Sequence, residues 1–178
     1  HLIGNMQIQT VGDPNFFDTD IGPIINYKAY KKLTSYISLC SEKGYKIHQP
    51  NQKVSDMHIA PTLIEINSIS NITEEQFGPI LHILKYSSNE IDELINQINR
   101  SEYGLTMGIH SRIEARADYM SSRSNVGNIY INRDMVGAVV GSQPFGGIGL
   151  SGSGFKAGGP NYLCLLYTSD AADESTGG

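Results

Sequence analysis

The chain is short of the features that mark several protein classes. Two cysteines among 178 residues cannot build a disulfide framework, which fits a reducing compartment. Only 13 lysines and arginines stand against 18 acidic residues, a formal net charge of −5, and the basic residues form no run. Neither nucleic acid nor an anionic membrane is therefore expected as the main partner. No apolar stretch is long enough to span a bilayer, and the first residues carry no signal-peptide pattern. The expected location is the cytoplasm. The five histidines show no metal-ligand spacing, so no metal is expected. A chain of this length can bury one modest core.

What the chain does have is a glycine-rich stretch over residues 126–159. Val126-Gly127-Asn128-Ile129-Tyr130-Ile131-Asn132 reads as a strand. It delivers the chain into Gly137-Ala138-Val139-Val140-Gly141, Gln143-Pro144-Phe145-Gly146-Gly147 and Gly158-Gly159-Pro160. Glycine tolerates positive φ and lets a ligand approach the backbone, so such a loop suits the lining of a site. Glycine content alone favours an ordinary surface loop.

Upstream, Gly12-Asp13-Pro14 and Asp20-Ile21-Gly22-Pro23 are turns. Tyr30, Leu33, Ile37 and Cys40 recur at helical spacing, with Gly44 as the stop. Cys40 lies on that apolar stripe and reads as core rather than nucleophile. Residues 44–58 read as a polar connector. Strands are expected over 59–66, 80–86, 105–110 and 127–132, and short helices over 89–99, with Asn89 as N-cap, and over 113–123, with Ile113, Ala117 and Met120 on one face. Strands alternating with helices of about ten residues predict parallel, right-handed crossover units. The expected class is α/β, a mostly parallel sheet with flanking helices.

Thr73-Glu74-Glu75-Gln76-Phe77-Gly78-Pro79 has two readings. Spacing alone allows Thr73 and Gln76 to form a capping box at a helix start. The words of the passage, with Gly137-Ala138-Val139-Val140-Gly141 and Lys156-Ala157-Gly158-Gly159-Pro160, point elsewhere. They resemble the C-terminal part of an aldehyde dehydrogenase catalytic domain. The branch they resemble is the L-glutamate γ-semialdehyde (pyrroline-5-carboxylate) dehydrogenase module of bifunctional proline utilization A. The resemblance runs over residues 1–163.

That resemblance implies an NAD-dependent enzyme oxidising L-glutamate γ-semialdehyde to L-glutamate in proline catabolism. It implies that Glu75 holds the nicotinamide ribose hydroxyls, a task suited to a carboxylate that only accepts hydrogen bonds, and that Phe77 packs near the nicotinamide ring. Glu74 is expected to be solvated. It implies that backbone N–H groups at Gly137 and Ala138 receive the substrate carboxylate as a nest, and that Phe145 flanks the aliphatic part of the substrate; Phe145 as a plain core residue is the alternative. The implied partners are a small aldehyde, the remainder of the same polypeptide and further copies in a homo-oligomer. FAD is implied only in a fused proline dehydrogenase domain outside this chain. In the resembled family a cysteine thiolate attacks the aldehyde and a glutamate activates water; both lie upstream of residue 1, so no catalytic residue is assigned here.

Gly147-Ile148-Gly149-Leu150-Ser151-Gly152 spells the dinucleotide fingerprint, yet it follows no apolar strand directly and opens no clear helix. It is read as a structural loop. His82 and His110 receive no catalytic role. Residues 164–178 resemble a translated sequencing adapter and are expected to be a non-native tail. The first residues read as the middle of a helix. A segment of a longer protein is therefore expected, inactive alone and with apolar surface left uncovered. The alternatives are another aldehyde dehydrogenase with a different aldehyde, and a non-catalytic scaffold of the same fold.

Overall fold

The computed structural model describes residues 1–137, 143–164 and 167. The chain divides into two compact units, His1–Lys85 and Tyr86 onward, each taken by itself.

The first unit begins with α1 (Leu2–Gln7). Residues 10–21 then form a closed loop. The Thr10 N–H donates to Asp20 Oδ2 at 2.9 Å and the Gly12 N–H to the Ile21 carbonyl at 3.0 Å. Helix α2 (Tyr27–Glu42) starts at Asn26, whose side chain accepts from the Ala29 N–H at 2.8 Å. Its apolar stripe behaves as the spacing requires: Leu33 and Cys40 are buried, and Tyr30 and Ile37 pack against the core. The helix ends where Gly44 adopts φ +76°. The Tyr45 N–H reaches the Cys40 carbonyl and the Gly44 N–H reaches Ser41, the paired bonds of a Schellman stop.

The connector expected over residues 44–58 contains a strand, β1 (Lys46–His48), antiparallel to β2 (Thr62–Ile66). β2 in turn runs parallel to β3 (Ile80–Leu84). β2 is the middle strand and is buried on both faces: Ile64 is 0% exposed, and Thr62 at 1% keeps its hydroxyl satisfied by the Ala60 carbonyl and by Gln49. Pro61 sits just ahead of the strand, so its missing N–H costs the ladder nothing.

In the second unit, a short turn (Ser88–Glu90) leads into α3 (Ile91–Arg100). The cap is not Asn89, which lies inside the turn. The Glu90 carboxylate instead accepts from the Ser87 N–H at 2.7 Å. The strand expected over 105–110 is β5 (Thr106–Ile109), and an unexpected two-residue strand, β4 (Tyr103–Gly104), precedes it. Helix α4 (Glu114–Ser121) buries Ala117 and Met120, but Ile113 stands at its N-cap and is 55% exposed, off the face assigned to it. β6 (Asn128–Ile131) pairs parallel with β5, and β7 (Ile148–Gly149), inside the glycine-rich stretch, pairs antiparallel with β4. Ile95, Ile109, Ala117 and Met120 form the core. The class is α/β, with parallel pairs as expected and antiparallel edges that pattern did not show. Among the described residues no helix is long and apolar enough to cross a membrane.

Candidate functional site

Residues 72–79 link a short turn (Ile69–Asn71) to β3. No helix forms over them, so Thr73 and Gln76 make no capping box. The helical reading fails because both ends of the segment are pinned. Upstream, the Ser68 N–H donates to Asn71 Oδ1 at 3.0 Å. Downstream, the Pro79 carbonyl accepts from the Thr62 N–H at 2.8 Å. Gly78 fits there because it has no side chain: a Cβ would stand 2.6 Å from Leu33 Cδ1.

Between the pins, the two adjacent glutamates differ sharply. Glu74, expected to be solvated, is half-exposed and held by Lys32, whose Nζ lies 2.8 Å from Glu74 Oε2. The ammonium keeps the Glu74 carboxyl below its ordinary range. Glu75 is exposed and has no hydrogen bond or ion pair among the described residues. Phe77 is 79% exposed, while Gln76 between them is half-buried with Oε1 enclosed and unpartnered. The loop therefore displays one free carboxylate and one aromatic ring. A carboxylate in that state can accept two hydroxyl donors at once.

In the second unit, Asn132 leaves β6 with φ +54° and ties back to Ser111: its amide accepts from the Ser111 N–H at 2.9 Å and donates to the Ser111 carbonyl at 3.0 Å. Arg133 then lies 4.7 Å from the centre of the Tyr130 ring, and the Tyr130 hydroxyl donates to the Gly137 carbonyl at 3.4 Å. Gly137 is exposed, has φ +66° and has nothing within 4 Å of where a Cβ would stand. Its N–H, however, donates to the Met135 carbonyl at 2.9 Å. In this geometry the Gly137 amide is not a free donor for a carboxylate, because the tight turn at residues 135–137 uses it internally. Ala138, the other expected anchor residue, lies outside the described residues. Phe145 is half-buried and exchanges both backbone bonds with Ala157, at 3.1 and 2.9 Å.

The Gly147–Gly152 fingerprint folds on itself. A Cβ on Gly147 would be 2.5 Å from the Ser151 carbonyl oxygen, and one on Gly149 would be 2.3 Å from that of Glu102. These glycines are required by backbone contact. Cys40 is buried, as its place on the stripe implies. The His82 ring meets the Tyr36 hydroxyl at 2.8 Å. Burial holds the His82 imidazole below its ordinary value and pushes the Tyr36 hydroxyl up, aided by Cys40. Among the described residues no group of three or more histidines, cysteines and carboxylates is placed to hold a metal. Glu75 and Phe77 share one loop of the first unit; Gly137 and Phe145 belong to the second. The Lys32 contact and the Tyr130 hydroxyl bond had no sequence signal, since neither follows from spacing.

Residues 1–170 match the model of the aldehyde dehydrogenase family. The chain belongs to that family. It is 44% identical over 180 residues to bifunctional protein PutA of Klebsiella aerogenes, covering 97% of this chain and 14% of that protein. It is 38% identical over 168 residues to 1-pyrroline-5-carboxylate dehydrogenase 1 of Halalkalibacterium halodurans, covering 93% of this chain and 32% of that one. A crystal structure of a proline utilization A mutant from Bradyrhizobium japonicum superimposes with a TM-score of 0.85 at 41% identity, over 91% of this chain and 17% of that one. The chain thus spans less than a fifth of its PutA relatives.

Proposed function

We propose that the chain is part of an NAD-dependent L-glutamate γ-semialdehyde dehydrogenase acting in proline oxidation, with residues 1–163 belonging to its catalytic domain. One observation carries the assignment of the cofactor side: of two neighbouring carboxylates, Glu74 is neutralised by Lys32 and Glu75 is exposed and free, beside the exposed Phe77. Glu75 would accept from the two hydroxyls of the nicotinamide ribose, and Phe77 would bound the nicotinamide ring. NAD supplies the hydride acceptor when bound. Gly137, Ala138 and Phe145 would line the aldehyde side. The names of the relatives support the substrate, since they include 1-pyrroline-5-carboxylate dehydrogenase and bifunctional PutA.

Cys40 is buried in the core of the first unit and cannot meet a substrate. The family resemblance places the thiolate and the general base in sequence preceding residue 1. A fused flavin-dependent proline dehydrogenase and a homo-oligomeric assembly complete the proposal, both beyond this chain.

The Gly137 N–H turned onto Met135 favours a second reading, an aldehyde dehydrogenase whose substrate has no carboxylate. One assay separates the two. The full-length protein is supplied with NAD and either glutamate γ-semialdehyde or an aliphatic aldehyde of similar length, and NADH is followed by absorbance. A strong preference in kcat/KM for the semialdehyde is expected. Equal values would select the second reading, and no NADH from a folded protein would leave a non-catalytic scaffold.

A further inference from the structure

Helix α2 holds the loop that carries Glu75 at two neighbouring positions. Leu33, 2% exposed, fills the space beside Gly78 that a side chain there would need. One residue earlier on the helix, Lys32 reaches Glu74 at 2.8 Å across 42 residues of sequence. The two contacts bracket Glu75, Gln76 and Phe77. The loop bends at Glu74, the Gly78 N–H turns back onto the Gln76 carbonyl at 3.0 Å, and burial separates the side chains: Gln76 is half-buried, while Glu75 and Phe77 are exposed. The Gln76 amide also donates to the Glu74 carbonyl at 3.2 Å, so the backbone at Glu74 is held from its other side too. Fixing the Glu74 carboxylate on the helix leaves Glu75 as the exposed carboxylate of the pair without an ion partner. It also removes one of two like charges that would otherwise compete for the same hydroxyls or repel each other.

We propose that Lys32 is a positioning residue for the dinucleotide: its ion pair with Glu74 sets the direction of Glu75, and so governs NAD affinity without touching NAD. The inference rests on the reading of Glu75 as the ribose contact. An exposed pair is a weak structural brace, so its effect belongs in cofactor binding more than in stability.

The test uses the full-length protein, with KM measured separately for NAD and for aldehyde, and Tm recorded for each variant. Glu75→Gln is expected to raise KM for NAD about tenfold or more, the scale of a hydrogen bond to a charged group. Lys32→Met is expected to raise it about two- to fivefold, with KM for aldehyde and Tm unchanged, and added salt should shrink the difference from the parent protein. The swapped pair Lys32→Glu with Glu74→Lys should restore the parent value. If Glu75→Gln leaves KM for NAD unchanged, the ribose reading itself fails. If Glu75→Gln raises it and Lys32→Met does not, only the role of Lys32 is overturned. It is likewise overturned if the swap fails to restore binding, or if Lys32→Met shifts both KM values and Tm together.

Discussion

At the scale of single residues, letters carry chemistry and contacts decide which copy of a letter is used. Glu74 and Glu75 are identical in kind and adjacent, and the Lys32 ion pair tells their carboxylates apart. The glycines divide in a similar way. Gly127 lies where a Cβ would come within 1.9 Å of the Gly146 carbonyl oxygen, a backbone atom that cannot swing aside. Gly127→Ala is expected to destabilise the second unit by about 1–3 kcal/mol, the range for overpacking a filled site. Urea unfolding followed by circular dichroism would measure it, and a midpoint equal to that of the parent protein would show that the two backbone segments separate freely there. Motif wording singled out Glu75, Phe77, Gly137, Ala138 and Phe145. It could not show that the Gly137 N–H is spent on Met135, because backbone hydrogen bonds of a turn leave no mark on side-chain type.

At the scale of elements, helices were legible where an apolar stripe had room to repeat. The stripe Tyr30, Leu33, Ile37, Cys40 and the stop at Gly44 all stand where spacing put them. The shortest strands were not legible. β1 has three residues and β7 has two, too few for alternation to register; each exists because a partner strand offers its ladder. The extra strand β4 ahead of the expected one follows Glu102 at φ +61° and comes from the pairing of Gly104 with Ile148, again a nonlocal fact. At the end of α2 the consequence is testable. Gly44 has open space around its missing side chain, so only its left-handed φ matters. Gly44→Ala should cost about 1–2 kcal/mol, the penalty for an L side chain in that region, and lower Tm by several degrees. Gly44→Asn should recover part of the loss, since asparagine tolerates the conformation better.

At the scale of the whole molecule, strand pairing gathers charges that lie far apart in the chain, and this makes stability depend on pH. Glu65 on β2 faces His48 and Lys46 of β1, at 2.9 and 3.3 Å, and Lys85 just beyond β3, at 3.3 Å. These donors, His48 foremost and then Lys85, hold the Glu65 carboxyl down at about 2, against an ordinary 4.5. A depressed carboxylate stabilises the fold fully above its unfolded value and loses that contribution as pH falls toward the folded one. His82 works in the same direction by a different route. Burial on β3 against Tyr36 lowers its pKa from 6.5, so the unfolded chain binds the proton more readily and stability drops as pH falls below 6.5. Both groups belong to the first unit, where the loss should be read. Urea midpoints measured from pH 8 down to pH 2 are therefore expected to decline in two stages, the first below 6.5 and the second between 4.5 and about 2. Glu65→Gln should shrink the second stage, leaving the share that belongs to Glu74 on Lys32, and His82→Gln should flatten the first alone. A Glu65→Gln profile that still falls between 4.5 and 2 as steeply as the parent would mean that the three donors do not act through this carboxylate.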